Sequence, residues 1–173
     1  MKLTKFYLNP DPLARRSLSE AGWNLNMKIT AKGRYALRLL LDVALNQHQG
    51  PVALSDIAAR QGISQPYLWH VVTPLTAVGI LRVKRGSQGG YVLARKPSEI
   101  SICDIVNVLE GSVTFVADQK VQEKNRNSVY MVTHKAWVEL ENKIADVLAG
   151  ITLEDLLARH HEAEAIDSLN YTI

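Results

Sequence analysis

Cysteine is all but missing from this chain: one residue, Cys103, among 173. A single thiol excludes an intrachain disulfide and any metal or iron–sulfur site assembled from several cysteines of one chain. Long apolar runs are missing too. None reaches the roughly 20 residues that a bilayer span requires. The N-terminus has neither the apolar stretch nor the small-residue cleavage site of a secretory signal, so the expected address is the cytoplasm. Catalytic constellations are equally scarce. The five histidines, His48, His70, His134, His160 and His161, show no metal-ligand spacing, such as two histidines four apart with a glutamate between them. No glycine-rich phosphate loop leads from a strand into a helix, and neither serine nor cysteine has a credible partner base in sequence. These absences point away from an enzyme.

Acidic charge is short in one half only. Residues 1–100 carry 5 Asp and Glu against 14 Lys and Arg, a balance of +9, whereas residues 101–173 carry 12 against 6, a balance of −6. A basic front followed by an acidic back suggests a polyanion-binding module joined to a protein-binding one. With 47% apolar residues the chain is foldable, and long enough for one ordinary domain or two small modules sharing a core.

Residues 1–26 hold two close prolines, Pro10 and Pro12, and no sustained period. They read as a flexible extension with a short helical turn around Leu13–Ala21, and Met27 as a candidate second start. From Thr30, Ala36, Leu37, Leu40, Leu41, Ala44 and Leu45 fall on one helical stripe, which "HQGP" at 48–51 interrupts. "LSDIAARQG" predicts a short helix with Ser55 as N-cap and Gly62 as C-cap. After the turn "GIS", Ser64 caps a third helix over "QPYLWHVVTPLTAVG", with Pro66 in its tolerated first turn. Pro74 lies deeper and predicts a kink or break near Val72–Thr73. Two β-like pieces, "ILRV" and "YVL", then flank "RGSQGG". Gly86, Gly89 and Gly90 are expected to reverse the chain at positive φ, and Arg85 stands near the tip. A helix, a glycine turn, a second helix and a basic hairpin make a winged helix-turn-helix. The alternative for the hairpin alone is an ordinary solvated turn.

Pro97 closes the wing. "SEISICDIVNVLEG" reads as a capped helix, with Ser101 as N-cap and Ile105, Val108 and Leu109 inward. The polar stretch at 112–127 reads as a mobile connection. From Asn127 a long helix is expected to about Gly150, along which Tyr130, Thr133, Trp137, Leu140, Ile144, Val147 and Ile151 recur every three or four residues. Such a heptad-like seam suits a second long helix and reads as a dimer interface; the alternative is packing against the chain's own N-terminal domain. "TLEDLLARHH", with Thr152 and Asp155 as a capping pair, predicts one more short helix. The fold class is thus mainly α with a small β-wing, a winged helix-turn-helix plus a long C-terminal dimerisation helix. The domains are 1–26, an extension; 27–98, the DNA-binding module; 99–165, dimerisation and effector helices; and 166–173, a tail.

Several stretches together, "MKITAKGRYALRLLLDVAL", "ALSDIAARQGIS" and "RGSQGGYVLARKPSEISICDIVNVLEG", resemble winged-helix repressors of the IscR, NsrR and CymR type. The likeness is close over 27–111 and looser through "THKAW" and "GITLEDLL". It implies a homodimer on a dyad-symmetric DNA site, with the helix after the turn in the major groove and the wing arginine, here Arg85, in the minor groove. Lys28, Lys32 and Arg34 would lie near phosphates. Gln65, Pro66, Tyr67, Trp69 and His70 would form the base-reading surface, Ser64 at the helix start would belong to the same DNA-binding set, and Gly86 and Gly89 would shape the wing. Trp69 stands where iron–sulfur members carry a carboxylate, which implies a different base preference.

The iron–sulfur members also carry three cysteines in the connection before the long helix, and this chain has none there. His134 alone does not hold a cluster, so no cofactor and no metal site are expected. In character the chain is closest to the cluster-free cysteine-metabolism regulator CymR, which takes its signal from a partner enzyme. The ending "AIDSLNYTI" resembles that of serine acetyltransferase, whose terminal isoleucine is captured by cysteine synthase (O-acetylserine sulfhydrylase). Tyr171, Thr172 and Ile173 are therefore candidates to dock into that enzyme; the alternative is a frayed terminus. Cys103, in the first turn of its helix, is a candidate redox thiol, or simply a small core residue. A winged module that binds only protein is a further alternative.

Overall fold

The computed structural model describes residues 29–111 and 127–170. The expectations for the extension at 1–26, for Lys28, for the connection at 112–126 and for Tyr171–Ile173 lie outside those residues.

Helix α1 (Ala31–Asn46) begins where Thr30, in extended conformation, accepts a hydrogen bond on its side chain from Lys32 N. Its buried side is wider than the expected stripe: Leu39 and Val43 are fully enclosed beside Ala36 and Leu40, while Leu37, Leu41 and Ala44 pack at the margin. The reason is its place in the fold. α1 runs through the middle of the domain and touches most of the other elements.

Helix α2 (Leu54–Gln61) starts two residues earlier than the sequence suggests. Ala53 is its N-cap, and the Ser55 hydroxyl donates instead to Asp56 Oδ1 at 3.1 Å. Gly62 ends it in the left-handed region at φ 63°, as the C-terminal glycine predicts. Buried Ile63 turns the chain into helix α3 (Gln65–Ala77). The break expected at Pro74 does not occur, and α3 continues through it. Thr73 Oγ1 donates to Trp69 O and Thr76 Oγ1 to Val72 O, both at 2.7 Å. These side-chain bonds brace the turn in which proline has no N–H to give.

The wing is the antiparallel pair β1 (Leu81–Lys84) and β2 (Gly90–Leu93), in register Leu81 with Leu93 and Lys84 with Gly90. It is tied inward at Tyr91, whose N donates to Val52 O at 2.8 Å and whose O accepts from Val52 N at 2.9 Å. Gln47 Oε1 accepts from Leu93 N at 2.9 Å. Burial pushes the Tyr91 hydroxyl above its usual range.

Helix α4 (Ile102–Glu110) opens with a reciprocal capping box between Ser101 and Asp104. The long helix α5 (Ser128–Ala149) has Asn127 as N-cap, its side chain accepting from Tyr130 N at 2.9 Å. Helix α6 (Leu153–Asn170) is longer than the short helix expected over Thr152–His161. Its first turn carries the expected box: Thr152 N and Oγ1 both donate to Asp155 Oδ2 at 2.8 Å. Those bonds hold the Asp155 carboxyl below its ordinary range. After α5 the chain rejoins the winged domain through Ile102 N to Ile151 O at 2.9 Å and Leu153 N to Ile100 O at 2.8 Å. Ile100, Ile105 and Leu153 share one core with α1, α3 and the wing.

Candidate nucleic-acid interface

Helix α3 has two faces of opposite character. Leu68, Val71, Val72 and Leu75 are enclosed in the core, whereas Ser64, Gln65, Pro66, Trp69, His70 and Thr73 face out. Spacings of one, four and five residues put the exposed set on one side of the helix, which is the geometry of a surface offered to a groove. Trp69, 54% exposed, stands at its centre. Its large ring is thus available to whatever covers this face. Tyr67 behaves differently. It is half-buried and packs edge-on against Tyr35 of α1, with ring centroids 5.3 Å apart at 81°, so it fixes α3 to α1 as much as it faces outward.

Three of the six described arginines of the basic half are committed elsewhere. Arg60 is bidentate on Asp42, a carboxylate only 2% exposed on its side chain, through Nε at 3.0 Å and Nη2 at 2.6 Å. Gln61 Nε2 adds a third bond to Asp42 at 2.8 Å. That hydrogen-bonded partner raises the Arg60 pKa above its ordinary value. Arg38 donates to the side chain and carbonyl of Gln61 and lies over the Tyr35 ring. Arg95 closes the C-terminal end of α3 by donating to Val78 O at 2.7 Å and Gly79 O at 3.2 Å. By contrast Lys32, Arg34, Arg82, Lys84 and Arg85 make no side-chain hydrogen bond or ion pair to another described residue. Arg34, Arg82, Lys84 and Arg85 are exposed, and Lys32 is half-exposed. These five sit on the first turn of α1 and on the wing, either side of α3 in the chain. A concentration of uncommitted cations there suits a phosphate backbone.

Arg82 and Lys84 were not singled out in the sequence. The alternation of "LRVK" with buried Leu81 was the signal for them. The wing glycines also need correction. Among the described residues of the wing, Gly86 alone takes a positive φ, 127°; Gly89 and Gly90 serve close approach instead. A Cβ on Gly89 would lie 2.7 Å from Lys84 O, and one on Gly90 would lie 2.5 Å from Val52 C and O.

The candidate interface residues of α5 are brought together only in part. Trp137, Leu140 and Val147 are exposed, and Tyr130 and Ile144 are half-buried. Ile151 belongs to the return segment bonded to Ile102 rather than to the helix. None of the residues of α5 is buried, and Val129, Met131, Val132 and Val138 are exposed beyond the expected seam. Met131, Val132, His134, Lys135 and Val138 line an open, largely apolar groove. The His134 ring stands edge-on to Tyr130, and its Nδ1 is enclosed with no hydrogen-bond partner among the described residues.

Cys103 lies in the first turn of α4, half-buried, and Asn107 Nδ2 donates to its Sγ at 3.4 Å. Iron–sulfur clusters are held by several thiolates, and this chain supplies one, on α4, with none in 112–126. Among the described residues no three His, Cys, Asp or Glu side chains converge. The residues present do not fit such a cluster. Among those residues also, no helix is long and apolar enough to cross a membrane.

Comparison with known proteins gives a consistent picture. The family model Rrf2, described as "Iron-dependent Transcriptional regulator", matches residues 29–159. The HTH-type transcriptional regulator IscR of Aliivibrio salmonicida is 37% identical over 144 residues, covering 83% of this chain and 85% of that protein. Among solved structures, T. potens IscR is 38% identical with a TM-score of 0.64, over 80% of this chain and 92% of that one. CymR, titled the global cysteine regulator of B. subtilis, is 34% identical with a TM-score of 0.65, over 77% and 98%.

Proposed function

The chain belongs to the Rrf2 family of winged-helix transcriptional regulators, and from that premise we propose that it is a homodimeric repressor of a dyad-symmetric DNA site. The observation that carries the reading is the outward face of α3, with exposed Trp69 at its centre. Gln65, Pro66, Trp69 and His70 read base edges in the major groove, and Ser64 and Tyr67 set the entry of the helix. Arg85, with Arg82 and Lys84 beside it, reaches the adjacent minor groove or its phosphates, while Gly86 and Gly89 shape the wing that carries them. Lys32 and Arg34 hold the backbone on the other side, in company with Lys28. Two such units are joined through α5, with Tyr130, Trp137, Leu140, Ile144 and Val147 toward the partner and Ile151 at the return.

The test is fluorescence anisotropy with DNA from upstream of cysteine-biosynthesis genes, repeated across salt concentrations. Arg85→Ala and Gln65→Ala are each expected to weaken specific binding about 10- to 100-fold. Binding that does not weaken as salt rises would remove the phosphate-contact reading, and no DNA affinity at any salt would leave a module that binds only protein.

The signal, in this reading, comes without an iron–sulfur cluster. Likeness to a cysteine regulator supports cysteine or sulfur metabolism as the regulated process. Tyr171, Thr172 and Ile173, whose sequence resembles the ending of serine acetyltransferase, are the residues we propose to dock into the active site of cysteine synthase. A tail peptide titrated against that enzyme should bind, and the same peptide lacking Ile173 should not; equal binding by the two would sink the docking.

A further inference from the structure

We propose that Glu110 is a positioning residue for DNA binding. It locks the first turn of α1 to the joint from which the chain leaves for the long helix. The inference rests on the DNA-binding reading above and goes beyond it in assigning a role to a residue on the far side of that joint.

The first turn of α1 has no acidic residue of its own. A helix start leaves backbone N–H groups without partners and carries the positive end of the helix dipole. Here both needs are met from 77 or more residues away. One carboxylate oxygen, Glu110 Oε1, accepts from Thr30 Oγ1 at 2.6 Å, Gly33 N at 3.1 Å and Thr30 N at 3.2 Å. Thr30 is at the same time the N-cap, accepting from Lys32 N at 3.1 Å. The four groups form one continuous set, and Lys32 and Arg34 flank Gly33 within it.

Gly33 gives the second observation. Glycine is unfavourable inside a helix, and the backbone here is not in the positive-φ region that would call for one. A Cβ at this position would lie 2.7 Å from Glu110 Oε1 and 2.9 Å from Ile29 Cγ2. A side chain here would push the Glu110 carboxylate, a movable side-chain end, out of its present place. Sequence separation and geometry agree that the contact is built into the fold.

Glu110 is the last residue of α4, and Gly111 at φ 84° turns the chain away immediately after it. The residue thus joins the start of the phosphate-facing helix to the end of the winged domain. With Glu110 in place, Lys32 and Arg34 are held at a fixed position relative to α3. Without it, the first turn loses three acceptor contacts, and the two cations move with a fraying helix end.

The experiment measures operator affinity against salt for wild type, Glu110→Ala, Glu110→Gln and Gly33→Ala, with thermal melts alongside. The alanine variant is expected to bind about tenfold more weakly. Its slope of log affinity against log salt should be shallower by about one unit or more, because phosphate contacts are lost. Glutamine keeps an oxygen acceptor and should restore both affinity and slope to near wild type. Gly33→Ala, which displaces the carboxylate from the other side, should reproduce the loss. An unchanged slope in Glu110→Ala and Gly33→Ala, whatever happens to the melting temperature, means the contact is only structural and overturns the proposal. Should Glu110→Ala fail to fold, Gly33→Ala against Glu110→Gln decides the same question. A wild type without salt-dependent binding overturns the DNA-binding reading itself and this inference with it, whereas a binding wild type with indifferent variants overturns this inference alone.

Discussion

Trp137→Glu combined with Leu140→Glu is expected to turn the proposed dimer into a monomer and to weaken operator binding by about two to four orders of magnitude. The size of the effect follows from what α5 does. It is a 22-residue helix with no buried residue in the single chain. Trp137 is 52% exposed and Val132 69% exposed. Helices of this kind are held by tertiary packing more than by propensity, so a face left in water calls for a partner helix. In the proposed dimer, two charges introduced there meet two more across the two-fold axis, and like charges in a desolvated seam oppose association. Because neither side chain contributes to the winged domain's core, the thermal transition of that domain should be little changed. Light scattering would report a mass near the 19.2 kDa of one chain instead of twice that value. A double variant that remains dimeric and binds DNA normally would place the interface elsewhere.

Gly90→Ala is the second large effect. The added Cβ would lie 2.5 Å from both Val52 C and Val52 O and 2.9 Å from Ala53 N. Those are backbone atoms, held by the paired bonds between Val52 and Tyr91, so they cannot swing aside as a flexible side chain would. Either β2 withdraws from Val52 or the segment before α2 shifts. Overpacking of this sort costs about 1–3 kcal/mol and sometimes more, and here it also moves the strand that supports Arg85. A denaturant titration should show the lost stability, and wing-dependent DNA affinity should fall with it. Gly86→Ala offers a contrast. Its Cβ meets nothing within 4 Å, and the cost there is confined to a φ of 127°. Equal stability for Gly90→Ala and wild type would contradict the packing described for the wing.

These two sites show what the sequence could and could not convey. Helices α1, α3, α4 and α5 were legible within a residue or two, because apolar spacing and capping residues such as Thr30, Ser101 and Asn127 are local signals. The wing was legible as a hairpin, but the reason for its glycines was not. Gly89 and Gly90 are required by atoms of Lys84, Gly86 and Val52, and a contact to Val52 has no signature in the sequence around Gly90. The unbroken course of α3 through Pro74 was missed for a similar reason, since the bracing hydroxyls of Thr73 and Thr76 are visible only once the helix is built. Nothing local in the sequence marks Asp42 as the carboxylate on which Arg60 and Gln61 converge. Glu110 belongs to the same class, its partners lying near the other end of the domain. The outward residues of α3, in contrast, came from the resemblance to winged-helix repressors rather than from a local pattern, and of them Tyr67 is half-buried instead of facing out.

The most direct test of a dyad-reading dimer is selection of binding sequences from a random DNA pool by the full-length protein, followed by sequencing of the enriched fraction. The account predicts an inverted repeat whose half-sites are centred about 10 base pairs apart or a multiple of that spacing. Enrichment of a single unpaired half-site, or of no sequence at all above the input pool, would contradict it.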